Sequence, residues 1–270
     1  PDGRAFRAEG TNHGPFAQVN INDNDIFGRL IREGDLGFCD AYLDDGWSTP
    51  DLQAFMDWAH SDNENIYDGF PGMSLVRTYE KLRFWFQSNS KRQALKNISY
   101  HYDLGNEFYG LWLDKTMTYS SALFETGRES LEQAQIAKYA SMIDQMGVKS
   151  GDHILEIGCG WGGFAEYAAK ERGLSVTGLT ISKEQLEYAT KRIKNIDLDG
   201  KVNFKLQDYR DEKGKYDGIA SIEMFEAVGE KYWPTYFQTL RDCLHPGRNA
   251  TLQIITVSDD RWDVYRRGVD

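Results

Sequence analysis

Beyond residue 130 the apolar positions of this chain switch repeatedly between a helical and a strand period. Ser130-x-x-Gln133 ahead of a helical spacing that runs to Gly147 predicts a helix with a capping box and a glycine stop. The apolar run 153–157 predicts a strand, and a helix follows from about 162. Strand 174–180, a helix opened by the Ser182-x-x-Gln185 cap, strands 202–207 and 216–222, helix 231–244 and strand 250–257 continue the series. Five strands alternating with helices imply an α/β fold with a parallel sheet and right-handed crossovers.

The first third reads differently. Residues 1 to about 20 are irregular, and the spacing of Ile26, Phe27, Leu30 and Ile31 predicts a short helix that stops at Gly34. Thr49 followed by Pro50 predicts an N-cap and first helical position, with Leu52, Phe55, Met56 and Ala59 as the apolar face behind it. After a polar loop over 60–72, the stretch from Leu75 to Lys96 interleaves Phe and Trp with six basic residues against one acid. That composition suits a helix lying on a membrane surface, and equally an amphipathic helix packed between two domains. The change of character near residue 90 divides the chain into 1–90 and 91–270.

A net charge of −11 excludes wholesale binding to nucleic acid or to an anionic surface, so any such contact is local. Three widely spaced cysteines fit a reducing cytoplasm better than a disulfide framework, and no metal-ligand spacing joins them to the five histidines. No continuous apolar run is long enough to span a bilayer.

The chemistry concentrates in His153-Ile-Leu-Glu156-Ile-Gly158-Cys-Gly160-Trp-Gly-Gly163-Phe164. A strand, an acid and a cluster of glycines ahead of a helix let the backbone approach a nucleotide closely. Gly158, Gly160 and Gly163 satisfy the dinucleotide spacing, but the next strand ends in Thr180 where a dinucleotide fold needs an acid for the ribose. Glu156 beside the turn would repel a phosphate and attract a sulfonium or amino group. The pattern favours S-adenosylmethionine over NAD.

These motifs together resemble the cyclopropane-fatty-acid synthase and mycolic acid cyclopropane synthase family: His101-Tyr-Asp-Leu-Gly-Asn106, Tyr119-Ser120, Glu156 to Gly163, Gly178-Leu-Thr180-Ile-Ser182-x-x-Gln185, Gln207-Asp208-Tyr-Arg210 and Met224-Phe-Glu226-x-Val228-Gly229. The resemblance covers nearly all of residues 1–270, and the family's C-terminal part, about a third of a typical member, has no counterpart in it. It implies a Rossmann-like class I methyltransferase sheet lacking its last strands, preceded by a small helical or α+β lipid-binding domain. It also implies an enzyme that transfers a methylene from S-adenosylmethionine to the cis double bond of an unsaturated phospholipid acyl chain, acting in the cytoplasm at the inner face of the membrane. Homodimerisation is left open.

By the same resemblance, Tyr119, Ser120, Gly158, Gly160, Thr180, Gln185, Gln207 and Asp208 surround the donor beside Glu156, and Glu226 serves the reacting end, where the family holds a bicarbonate ion as base and where Ser121 can still donate a hydrogen bond. The chain departs from the family where Ser121 replaces a cysteine, Ala227 a histidine after the glutamate, and Ile254-Ile255-Thr256 a His-Thr-Ile run. Without the bicarbonate, the product would be a methyl-branched or methylene fatty acid. A non-catalytic donor- and lipid-binding subunit is the third reading.

Overall fold

The computed structural model describes residues 2–9, 14–61, 105–260 and 262. These fall into two compact bodies, one containing residues 14–61 and the other residues 105–262. The boundary expected at 90, the basic aromatic stretch 75–96 and His101 to Leu104 lie outside the described residues.

In the first body, α1 (Asp25–Leu43) leaves the helical path at Gly34, at φ 62° and ψ −142°, which glycine adopts at little cost. The expected stop is therefore a kink, and the helix resumes to Leu43. β1 (Asn20–Ile21) pairs antiparallel with β2 (Trp47–Ser48), a two-residue ladder that the apolar pattern does not announce. The cap of α2 (Leu52–Ser61) is Asp51 rather than Thr49: the Ala54 N–H donates to Asp51 Oδ1 at 2.9 Å, while the Thr49 hydroxyl turns onto Asp51. Ile26, Ala41, Trp47 and Phe55 form the core, with Phe38 stacked 4.5 Å from Trp47.

The second body is the alternating α/β unit. After α3 (Gly105–Gly110) come α4 (Leu131–Met146), β3 (His153–Ile157), α5 (Gly163–Glu171), β4 (Ser175–Thr180), α6 (Lys183–Lys194), β5 (Val202–Leu206), β6 (Tyr216–Ile222), α7 (Trp233–Cys243) and β7 (Leu244–Gln253). The sheet order is β5-β4-β3-β6-β7 and every pairing is parallel. In this body the expected caps form. Ser130 and Gln133 complete a reciprocal capping box, Gly147 ends α4 at φ 73°, and Ser182 accepts from the Gln185 N–H at 3.3 Å. β7 begins six residues earlier than expected, because three extra residues bulge out of its ladder between the pairs Tyr216–Leu244 and Gly218–Asn249.

Strand periodicity sorts the core into two layers. Ile154, Val176 and Val202 face α4 and α5, against Tyr139, Met142, Phe164 and Ala168. Leu155, Ile157 and Ile219 face α7, against Tyr236 and Leu240. β3 is central, and the chain leaves it toward β4 on one side and later returns to β6 on the other. The carboxyl end of β3 is thus the switch point at which open α/β sheets bind ligands.

Gly178 shows how tightly this layer closes. A Cβ there would lie 2.6 Å from Phe204 Cδ1 and 2.9 Å from Cys159 Cβ. Gly178→Ala is expected to lower stability by about 1–3 kcal/mol, read as a lower urea midpoint with an unchanged slope.

Candidate donor site and adjoining cavity

The turn after β3 is fixed by backbone bonds. The Gly158 and Cys159 N–H groups both donate to Leu179 O at the end of β4, at 3.0 and 2.9 Å. The glycines then divide the work. A Cβ on Gly163 would lie 2.7 Å from Thr116 O, so that glycine allows close packing. Gly160, at φ 50°, has nothing within 4 Å of its Cβ position and lines an open cavity.

That cavity measures about 420 Å³. Tyr119, Ser120, Glu156, Gly158, Gly160, Thr180, Gln185, Gln207 and Asp208 all line it. The Thr180 hydroxyl donates to Gln185 Oε1 at 2.8 Å and accepts from the Ser182 N–H, so a neutral pair stands where a dinucleotide fold has an acid. Asp208 is bound by Arg210 through Nε at 2.8 Å and Nη2 at 2.6 Å, and Gln207 donates to Glu212. Glu156 is 3% exposed, and its Oε2 has no hydrogen-bond partner among the described residues. Burial holds the Glu156 carboxyl well above the usual carboxylate range, opposed by the charge of Lys138. Burial, and next the neighbouring Glu156, push the Cys159 thiol up as well.

S-adenosylmethionine fits this donor set. An orphaned buried carboxylate suits its sulfonium and amino groups, the open space over Gly160 admits its chain, and the Thr180–Gln185 pair offers hydroxyl and amide to a ribose.

A second cavity, of about 530 Å³, shares Thr118, Tyr119, Ser120 and Glu223 with the first. Trp112, Leu113, Leu131 and Ile255 give it apolar walls, and Ser121 and Glu226 line it as well. Ser121 and Glu226 therefore stand apart from the donor cavity, on its neighbour. The Glu226 carboxylate accepts from the Ile255 N–H.

The acid at the junction is Glu223, which sequence reasoning passed over. Its Oε1 accepts from the Ser121 N–H at 2.9 Å, the Ser121 hydroxyl at 2.5 Å and Gln253 Nε2 at 2.8 Å. Its backbone sits at φ 45°, rare for a residue with a side chain. Gln253, one residue ahead of Ile254, also donates to the Ser121 hydroxyl at 2.8 Å. The available signal was an acid immediately after a buried strand and directly ahead of Met224-Phe225-Glu226. Aromatic rings run from one cavity to the other: Trp161 lies 5.0 Å from Tyr109, Tyr109 5.4 Å from Tyr119, and Tyr119 5.5 Å from Trp112.

A five-stranded parallel sheet with an acid and glycines at its switch point has the architecture of the class I methyltransferases, and solved structures agree. A mycolic acid cyclopropane synthase, crystallised with S-adenosylhomocysteine and the detergent CTAB, aligns with a TM-score of 0.58 at 30% identity over 65% of this chain and 61% of its own. The family model for mycolic acid cyclopropane synthetases matches residues 89–269, and the chain belongs to that family. It is 35% identical to the tuberculostearic acid methyltransferase of Mycobacterium tuberculosis over 86% of this chain and 56% of that protein. It is 36% identical to the cyclopropane-fatty-acyl-phospholipid synthase of Escherichia coli over 85% and 58%. The chain thus spans little more than half the length of these relatives.

Gly160→Val places a branched side chain where the cavity opens and at a backbone angle it resists. The expected result is loss of measurable S-adenosylhomocysteine binding by calorimetry, with the fold retained by circular dichroism.

Proposed function

We propose that this chain transfers a methyl group from S-adenosylmethionine to the carbon–carbon double bond of an unsaturated phospholipid acyl chain at a membrane surface, the leading product being a cyclopropane. One observation carries the reading: a donor-type cavity and an apolar cavity meet at a shared wall beside a carboxylate, Glu223. A π bond is a weak nucleophile, so most of the acceleration must come from holding it in line with the sulfonium methyl, worth ~7–11 kcal/mol.

Attack of the π electrons on the methyl breaks the sulfur–carbon bond, releases S-adenosylhomocysteine and leaves a cation on the acyl chain. Tyr109, Trp112, Tyr119 and Trp161 offer ring faces that stabilise a cation without capturing it. Glu226 adds a countercharge from the second cavity. Glu223 is the group that takes the proton. Lost directly from the new methyl, that proton leaves its bonding pair to close the ring.

A second product has support from Ala227 and from Glu223 itself. Glu223 occupies the Ser121 donors that would otherwise hold a bicarbonate ion, and its charge disfavours a second anion there. If a hydride first shifts from the newly methylated carbon to the cationic one, loss of the methyl proton gives a methylene branch on the open chain instead of a ring.

Lipids from a host expressing the full-length protein with methyl-labelled methionine should gain one labelled CH₂ unit by mass spectrometry. Resistance to mild hydrogenation identifies the cyclopropane, and a reducible double bond the methylene. An unlabelled lipid pool would overturn the reading. Glu223→Gln is expected to lower turnover by about 10²- to 10⁴-fold, with S-adenosylhomocysteine affinity essentially kept.

A further inference from the structure

The face of α4 turned toward the sheet is apolar except for two residues. Gln135 is 1% exposed and Lys138 4% exposed, among Ala134, Tyr139, Met142 and Ile143. Both reach the wall between the cavities. Gln135 Nε2 donates to Ser120 O at 2.8 Å. The Lys138 ammonium donates to the Ser120 hydroxyl oxygen at 2.7 Å and to Ser121 O at 3.0 Å.

A serine hydroxyl has one hydrogen to give and lone pairs to receive. With Lys138 occupying a lone pair, the Ser120 O–H has its hydrogen left over, and no acceptor for it appears among the described residues. The hydroxyl lines the donor cavity. Across that cavity Glu156 suits the cationic groups of an aminoacyl ligand, and Asp208, Thr180 and Gln185 lie toward the nucleoside groups. The remaining group of the donor is its carboxylate, which needs a hydrogen-bond donor with positive charge behind it.

We propose that Lys138 is a positioning residue for the donor's carboxylate: it fixes the Ser120 hydroxyl as a donor into the cavity and supplies the positive charge one hydrogen bond behind it. The assignment rests on the reading of the first cavity as the S-adenosylmethionine site. It also gives a role to a lysine placed in an apolar layer, where an uncharged side chain would pack at lower cost.

The surroundings fix the sign of the pH dependence. Glu223 after β6, Asp114 in the segment ahead of α4 and Glu156 on β3 all face the ammonium, and its own neighbour Tyr139 presents a ring 5.3 Å away. Burial is the largest influence and brings the Lys138 ammonium down to about 8, against the opposing pull of Glu223, Asp114 and Glu156. The cationic form favours a bound carboxylate. Its contribution to affinity is therefore complete below about pH 8 and declines as pH rises past that value.

The test is calorimetric titration of the full chain and its Lys138→Met variant with two probes, S-adenosylhomocysteine and 5′-methylthioadenosine, which lacks the amino-acid end. Lys138→Met should bind S-adenosylhomocysteine roughly 10- to 30-fold more weakly at pH 7, while methylthioadenosine binding stays within about twofold, a result that loss of packing would not give. The ratio of wild-type to variant affinity for S-adenosylhomocysteine should shrink severalfold between pH 7 and 9.5. The ligand's own amino group cancels in that ratio.

Three results overturn the proposal: S-adenosylhomocysteine affinity unchanged in the variant, equal loss for both probes, or an affinity ratio that is constant with pH. Failure of the wild-type chain to bind either probe is a different result, which sinks the donor-site reading itself and this assignment with it.

Discussion

A carboxylate buried at the end of a central strand costs several kcal/mol unless a cation or hydrogen bonds offset it. Glu156 is such a group, and much of the second body is arranged around it. Strand periodicity turns it toward the layer shared by α4 and α5, Lys138 approaches from α4, and the glycine turn opens the space beyond it. One carboxylate oxygen is still left without a partner. Burial favours the protonated carboxyl, so a ligand that brings positive charge to that point is what favours the carboxylate there, and the acid selects for a cation.

The junction between the cavities is built on the opposite principle. One oxygen of Glu223, Oε1, is held by Ser121 and Gln253, and the residue sits in a backbone conformation that side chains seldom adopt. Such strain persists only where surrounding bonds over-determine it. Here three hydrogen bonds do so, drawn from the segment ahead of α4 and from the end of β7. The acid is consequently fixed in position, as the proton-accepting role proposed for it requires.

What was legible in the sequence follows from the range of the interactions involved. Ser130 with Gln133, Gly147 and Ser182 act within a few residues of themselves, and their elements form as the pattern predicts. The nine residues assigned to the donor line one cavity because several of them sit at or just beyond the carboxyl ends of adjacent parallel strands, which the alternation of strand and helix already implied. Competing local signals were harder to resolve. Thr49, Pro50 and Asp51 each signal a helix start, and only the bond from the Ala54 N–H shows that Asp51 caps. The β7 bulge hides behind Pro246 and Gly247, residues that read as a turn. Glu223 depends on a positive φ and on partners 30 and 102 residues away, which no local pattern encodes. Lys138 was visible in principle as a charge on an apolar helical stripe, but its partner Ser120 is a tertiary contact.

The thiol in the glycine turn has a further consequence. Cys159 lines the donor cavity yet is 4% exposed, and its surroundings disfavour the thiolate. A thiolate is a far better nucleophile than an alkene and would compete for the methyl of a sulfonium held nearby. By keeping the proton on sulfur, the apolar packing around Cys159 and the acid beside it guard the protein against alkylating itself with its own reagent.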